Sequence, residues 1–224
     1  MATDLSTLGI DTQLIHGVFN TQSVVLAAFK ARCVAKGIDF GKFSWIGRNG
    51  DNHSEVAPDF DPKDPETVVV LDATLDTLQN TFEFAWEWTV DGQDDKWRYD
   101  DIISDSDMLA LIDGLEFKPY TLRWVRIKLD TNVGKRPIDV RNSKSSPGCA
   151  LLFMSAEHPA RIKATDYEKR FGFWLPGLKC TEPVNEAWRH VPYVDFDRND
   201  RRVGLDLLWD ASSRVFLAVP SLLE

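Results

Sequence analysis

The stretch Thr81-Phe82-Glu83-Phe84-Ala85-Trp86-Glu87-Trp88-Thr89-Val90 carries the most regular pattern in the chain. Phe82, Phe84, Trp86, Trp88 and Val90 alternate with Thr81, Glu83, Ala85, Glu87 and Thr89, and a period of two marks a β-strand. One face is wholly apolar and the other mixed, which predicts an antiparallel sheet with one side on the core.

Working outward, Thr67 to Leu71 is a β-branched run and reads as a second strand, and Thr121 to Leu129 as a third. In the third the apolar parity switches, from Leu122 and Trp124 to Val125, Ile127 and Leu129. That switch predicts a bulge near Trp124 or burial on both sides. On the C-terminal side, segments 170–175, 187–196, 202–209 and 215–219 are short and apolar or alternating, with turn residues between them, so residues 170–219 are expected to form a β meander. Helical spacing runs over residues 23–36, where Ser23 suits the cap and Gly37 the left-handed position beyond the end. Shorter helices are expected at Asp105 to Asp113, ended by Gly114, and at Ala150 to Glu157, with Pro147 in the first turn and Ser146 as its cap. Residues 42–64 and 132–148 are rich in Gly, Pro, Asn and Asp or Ser and read as long loops. The expectation is therefore one α+β domain over residues 1–224, mainly antiparallel β and sandwich-like, with two or three short helices.

Composition narrows the class. The chain has 224 residues, 43% hydrophobic and 27% charged, with 13 Gly and 11 Pro, so collagen-like and low-complexity classes are excluded. No apolar run nears the roughly 20 residues of a membrane span, and the opening residues lack the basic and apolar regions of a secretory signal. Cys33, Cys149 and Cys180 are odd in number and include no C-x-x-C pair, which suggests a cytoplasmic or otherwise reducing intracellular compartment; Cys33 on an expected helix and Cys149 opening an apolar run read as small core residues in place of nucleophiles.

Charge is unevenly distributed. Net charge is -9, yet residues 1–115 hold 8 Lys/Arg against 21 Asp/Glu, whereas residues 116–224 hold 18 against 14. An acidic stretch covers Asp91 to Asp107, and a basic one covers Lys118 to Lys144, with Lys118, Arg123, Arg126, Lys128, Lys135, Arg136, Arg141 and Lys144 facing Asp130 and Asp139. Such stretches are solvated faces that neutralise each other or, alternatively, a local anion or nucleic-acid site.

Most of the eight tryptophans alternate with polar partners on the expected strands, as core-facing aromatics do; the alternative is a stacking platform for sugars or bases, with Trp45 and Trp97 expected to be the exposed ones. Together with Trp124, Arg123, Arg126, Lys135 and Arg136 they are the candidate ligand-binding residues. No catalytic residue is assigned. On a strand, Glu83 and Glu87 would lie about 13 Å apart, beyond the roughly 5–9.5 Å of paired glycosidase carboxylates. Residues Asp195 to Asp206 resemble a calcium loop in part, but Asp200 stands where the sharp turn needs Gly, and a hairpin turn explains the segment better. The Asp91 to Asp101 cluster could hold a cation loosely. The four histidines show no zinc spacing, and phosphate-binding glycine motifs are absent, so no cofactor is expected.

Three functions follow. The first is a non-enzymatic structural or assembly protein whose charged surfaces make homo- or hetero-oligomeric contacts. The second is a glycan- or nucleic-acid-binding module using exposed Trp and the 118–144 stretch. The third is a hydrolase whose site is assembled only in three dimensions.

Overall fold

The computed structural model describes residues 22–46, 66–90, 97–99, 109–140, 142, 145–158, 173–180, 190–197, 202–209 and 219–223. The fold is α+β, with small, mostly antiparallel sheets and four α-helices among the described residues. The chain divides into two compact units, residues 1–40 and 41–224.

In the first unit, helix α1 (Gln22–Ala35) buries Val25, Leu26, Phe29 and Cys33. It closes in a Schellman motif: Ile38 N–H donates to Cys33 O (2.8 Å) and Gly37 N–H to Val34 O (3.1 Å), with Gly37 at φ +67°. The helix expected at 23–36 is thus found one residue earlier. Phe29 meets Phe40 edge-on, at 6.3 Å between ring centroids.

In the second unit, strand β5 (Thr121–Lys128) is the centre of the first sheet. Strand β2 (Thr67–Thr74) pairs with it antiparallel along its whole length, from Thr67 opposite Lys128 to Thr74 opposite Thr121. On the other edge of β5, β1 (Ser44–Trp45) pairs parallel near its start and β10 (Ser221–Leu222) antiparallel near its end. The register is unbroken, so the parity switch near Trp124 involves no bulge. It reflects cover on both faces: Val68 to Ala73 are buried without alternation.

Helix α4 (Ala150–Glu157) supplies part of that cover. Ala150 through Met154 are all buried, as in a helix enclosed on every side. Its C-terminal end also caps the outer edge of β2, where Glu157 Oε2 accepts the Leu71 N–H (2.9 Å) and His158 Nε2 donates to Val69 O (2.8 Å). Side chains satisfy backbone groups that an edge strand would otherwise leave unpaired. The helix begins at Cys149, whose side chain makes no capping bond; Pro147 lies before it, and Ser146 Oγ accepts Gly148 N–H instead.

Two expected elements are corrected. Residues 81–90 are not a strand but belong to helix α2 (Leu78–Val90). The decisive signals lie upstream: Thr77 Oγ1 accepts the Asn80 N–H (3.0 Å), the geometry of a helix N-cap, and Asp76 Oδ1 accepts Thr77 N–H and Asn80 Nδ2. Thr81 is fully buried because its hydroxyl donates to Thr77 O (2.7 Å) and accepts from Leu75 N–H (2.9 Å). Adjacent pairs Thr81/Phe82 and Phe84/Ala85 are buried while Glu83 is exposed, which a strand cannot do on one face. Phe84 and Trp88, one turn apart, both meet Phe153 of α4, at 6.4 and 6.3 Å.

The helix expected over 105–113 is likewise replaced, in its described part, by strand β4 (Leu109–Leu111). It pairs antiparallel with β7 (Leu178–Cys180), and Ile112 N–H continues the contact to Gly177 O. Three apolar residues suit either period, and the partner strand decides. Within the loop expected at 132–148, residues Pro137–Val140 form the short helix α3, and the 42–64 loop contains β1.

The remaining sheet has the order β3-β9-β8-β6, from Trp97–Tyr99, Arg202–Trp209, His190–Asp197 and Phe173–Trp174. The β8–β9 hairpin pairs eight residues on each side, while β3 joins parallel to β9. Of the meander expected over 170–219, β6, β8 and β9 pair antiparallel in succession, whereas β7 pairs with β4, and residues 215–218 of its last expected strand lie outside the described residues. Trp174, Val191, Tyr193 and Val219 form a buried cluster, with Trp174 and Tyr193 edge-on at 5.9 Å.

Candidate functional site

Asp72 and Arg123 face each other across the β2–β5 register, and the side chains meet on that face. Arg123 Nε donates to Asp72 Oδ2 at 2.7 Å, and Nη2 lies 2.7 Å from the same oxygen. The Asp72 side chain is 6% exposed, the Arg123 side chain 33%. Burial pushes the Asp72 carboxyl pKa upward against the pull of Arg123, and the Asp72 charge holds the guanidinium protonated. Asp72 Oδ1 is buried with no hydrogen-bond partner among the described residues.

This pair lies at a cleft of about 280 Å³. Gly148 and Cys149 complete the polar end, and Ile46, Leu111, Leu115 and Phe117 supply apolar walls. At the rim, Thr74 and Thr121 hydroxyls lie 2.8 Å apart, and Thr74 Oγ1 also donates to Lys118 O. Lys118 and Glu116 form an ion pair at 3.6 Å, both well exposed. The Gly148 segment is held by close backbone approach. A Cβ on Gly177 would lie 2.7 Å from Gly148 Cα, so only glycine fits there.

The cleft holds no activated thiol. Cys149 is buried, and its pKa is driven far upward by burial and by the Asp72 charge. Cys33, in the other unit, is pushed up to about 11 by burial. Nucleophilic cysteines need the opposite shift. Among the described residues no three His, Cys, Asp or Glu side chains gather as a metal site, and no helix is long and apolar enough to cross a membrane.

Of the residues singled out in sequence, Trp45 and Trp124 come together. Their rings stack with centroids 6.5 Å apart and planes 26° apart, both half-buried. Each indole offers part of its face to the other. Arg126 shares that face of β5, opposite to Arg123, and the Trp124 Nε1 and Arg126 Nε donors are buried without an acceptor among the described residues. Lys135 Nζ donates to Asn132 Oδ1 (3.1 Å), and Arg136 binds both oxygens of Asp139 at 2.7 Å. Trp97 is in β3, but its side chain lies outside the described residues, as do all seven aspartates of the Asp91 to Asp107 stretch. The separation expected for Glu83 and Glu87 is also revised, because four residues of helix rise only about 6 Å. Glu83 is exposed and accepts from Gln79 Nε2 one turn earlier.

Sequence reasoning passed over Asp72. A lone carboxylate in the run Thr67 to Thr74, otherwise β-branched and apolar, was the available signal. No protein-family model, curated protein or solved structure matches this chain.

Proposed function

We propose that the protein is a non-enzymatic structural or assembly component that contacts a second copy of itself through charged surfaces. The observation that carries this reading is that four of the six described cations of the basic stretch are paired with an acid. Lys118 is paired with Glu116, Arg123 with Asp72, Lys128 with Asp130 at 3.5 Å, and Arg136 with Asp139. At the three pairs other than the buried Arg123–Asp72 contact, the surface alternates in sign over a few ångströms. A phosphate backbone favours clustered, uncompensated cations, whereas protein partners are matched by mixed charge that sets register. Val133 and Ile138, 54% and 40% exposed, lie within the same segment and add exposed apolar side chains to it.

Two buried, unpaired thiols, Cys33 and Cys149, support a reducing intracellular setting as part of the same proposal, and a sandwich-like packing of the sheets is its architectural counterpart. The test is solution mass by size-exclusion chromatography with light scattering, at low and high salt, recording the 260/280 nm absorbance ratio. The expected result is a nucleic-acid-free oligomer at low salt that dissociates at high salt and in the Lys135→Glu/Arg136→Glu and Val133→Ser/Ile138→Ser variants. A protein that stays monomeric at high concentration and low salt, or an oligomer indifferent to both double variants, overturns the proposal.

A further inference from the structure

Independently of assembly, we propose that the cleft at Asp72 and Arg123 binds a small carboxylic acid with an apolar body. The argument starts from which guanidinium edge is occupied. Arginine carries five N–H donors in a rigid planar fork. Asp72 engages Nε and Nη2 through one oxygen, which fixes the plane and leaves the Nη1 donors and the second Nη2 hydrogen. The carboxylate holding the fork is buried, whereas a third of the arginine side chain is open and Arg123 lines the cleft, so in this proposal its unengaged donors are the ones offered to a ligand. A carboxylate matches that edge with two parallel hydrogen bonds.

The surroundings set the rest of the ligand. Leu111, Leu115 and Phe117 line the cleft with apolar surface, which suits a hydrocarbon or aromatic body. The volume of about 280 Å³ falls just below the roughly 300–1,000 Å³ of sites for drug-sized molecules, so the acid is small. Charge selects against a phosphate. Asp72 already offsets Arg123, and Lys118 is offset by Glu116 at the mouth, so a dianion would meet two carboxylates against two cations. A single negative charge at the guanidinium edge is the better match. In this arrangement Asp72 is a positioning residue, and Arg123 touches the ligand.

The experiment is isothermal titration calorimetry of the full chain with hexanoate and benzoate, using hexanol and inorganic phosphate as comparison probes. The expected result is saturable 1:1 binding of at least one carboxylate, with neither hexanol nor phosphate binding comparably. Arg123→Lys keeps the charge and removes the fork, and Leu115→Trp fills the apolar end without touching the ion pair. Each is expected to weaken binding by about tenfold or more. Because Arg123→Lys also disturbs a buried pair, circular dichroism and a melt of each variant accompany the titration, and Leu115→Trp decides if Arg123→Lys fails to fold. No saturable heat with either carboxylate at millimolar concentration, phosphate binding more tightly than both, or carboxylate binding unchanged in Leu115→Trp each overturns the proposal. None of these readouts depends on oligomer mass, so failure here is distinct from failure of the assembly reading.

Discussion

Two arginine–aspartate pairs in the second unit share a contact distance and differ in the oxygens engaged, in burial and in sequence separation. Arg123 reaches Asp72 at 2.7 Å between neighbouring strands, and Arg136 reaches Asp139 at 2.7 Å within a turn of the chain. Yet burial raises the pKa of the Asp72 carboxyl, while the hydrogen bonds from Arg136 lower that of the exposed Asp139. The distance is the same and the sign of the shift is opposite. Environment, not contact length, decides what an ion pair contributes, because desolvation opposes the Coulomb gain inside and solvent screens it outside.

The largest effect expected is at the buried pair. Asp72→Asn leaves the Arg123 charge without its counter-ion in a half-enclosed site. Breaking a buried pair in this way costs roughly 3–5 kcal/mol, and the one-third exposure of Arg123 places the value toward the lower end. Replacing both, as Asp72→Leu with Arg123→Met, is expected to recover most of that loss in a chemical-denaturation experiment while abolishing carboxylate binding. If Asp72→Asn unfolds at the same denaturant concentration as the parent, the burial contrast between the two pairs is wrong.

How far the sequence could anticipate this contrast depends on what each residue's neighbours encode. Strands β2 and β5 and helices α1 and α4 were legible from their apolar runs and spacing, with Gly37 marking the end of α1, whereas the cap expected for α4 at Ser146 is not the one used. Residues 81–90 were not, because Phe82, Phe84, Trp86 and Trp88 satisfy a period of two while Thr81, Phe84, Ala85 and Trp88 satisfy a helical stripe. The Asp76 and Thr77 caps that break the tie lie before the conspicuous stretch. Arg123 and Arg136 looked alike in a basic run, and only the partner of Arg136 lies close in sequence. Asp139 is three residues from its partner, whereas Asp72 is 51 residues from Arg123 and becomes its neighbour only through strand register. Long-range pairing of that kind has no local pattern to reveal it.

A third carboxylate sharpens the comparison. Glu157 is buried, its pKa is pushed well above 4.5 by burial, and the Leu71 N–H opposes that rise. A carboxyl with a raised folded pKa binds protons more tightly folded than unfolded. Its contribution is therefore present in full below the unfolded pKa and declines as pH rises toward the folded value. Glu157→Gln keeps an oxygen for Leu71 and removes the titration. The expected outcome, in denaturant melts at a series of pH values, is a flatter stability profile above pH 4.5 with stability near neutrality equal to or above the parent. A slope identical to the parent's would show that this carboxyl does not feel its burial.

The exposed pair gives the smallest effect and the opposite sign. Asp139 has a lowered folded pKa through its bonds to Arg136, so whatever it contributes is present above the unfolded value and is lost as pH falls through the folded one. Asp139→Asn should leave the melt at neutral pH within experimental error, because solvent screens the contact and the asparagine oxygen can still accept one hydrogen bond from Arg136. Raising salt should change the parent and the variant alike. A clear loss of stability in Asp139→Asn that vanishes at high salt would mean that the turn at residues 132–140 relies on this pair. The difference between the two ion pairs would then be one of degree in screening, not one of burial.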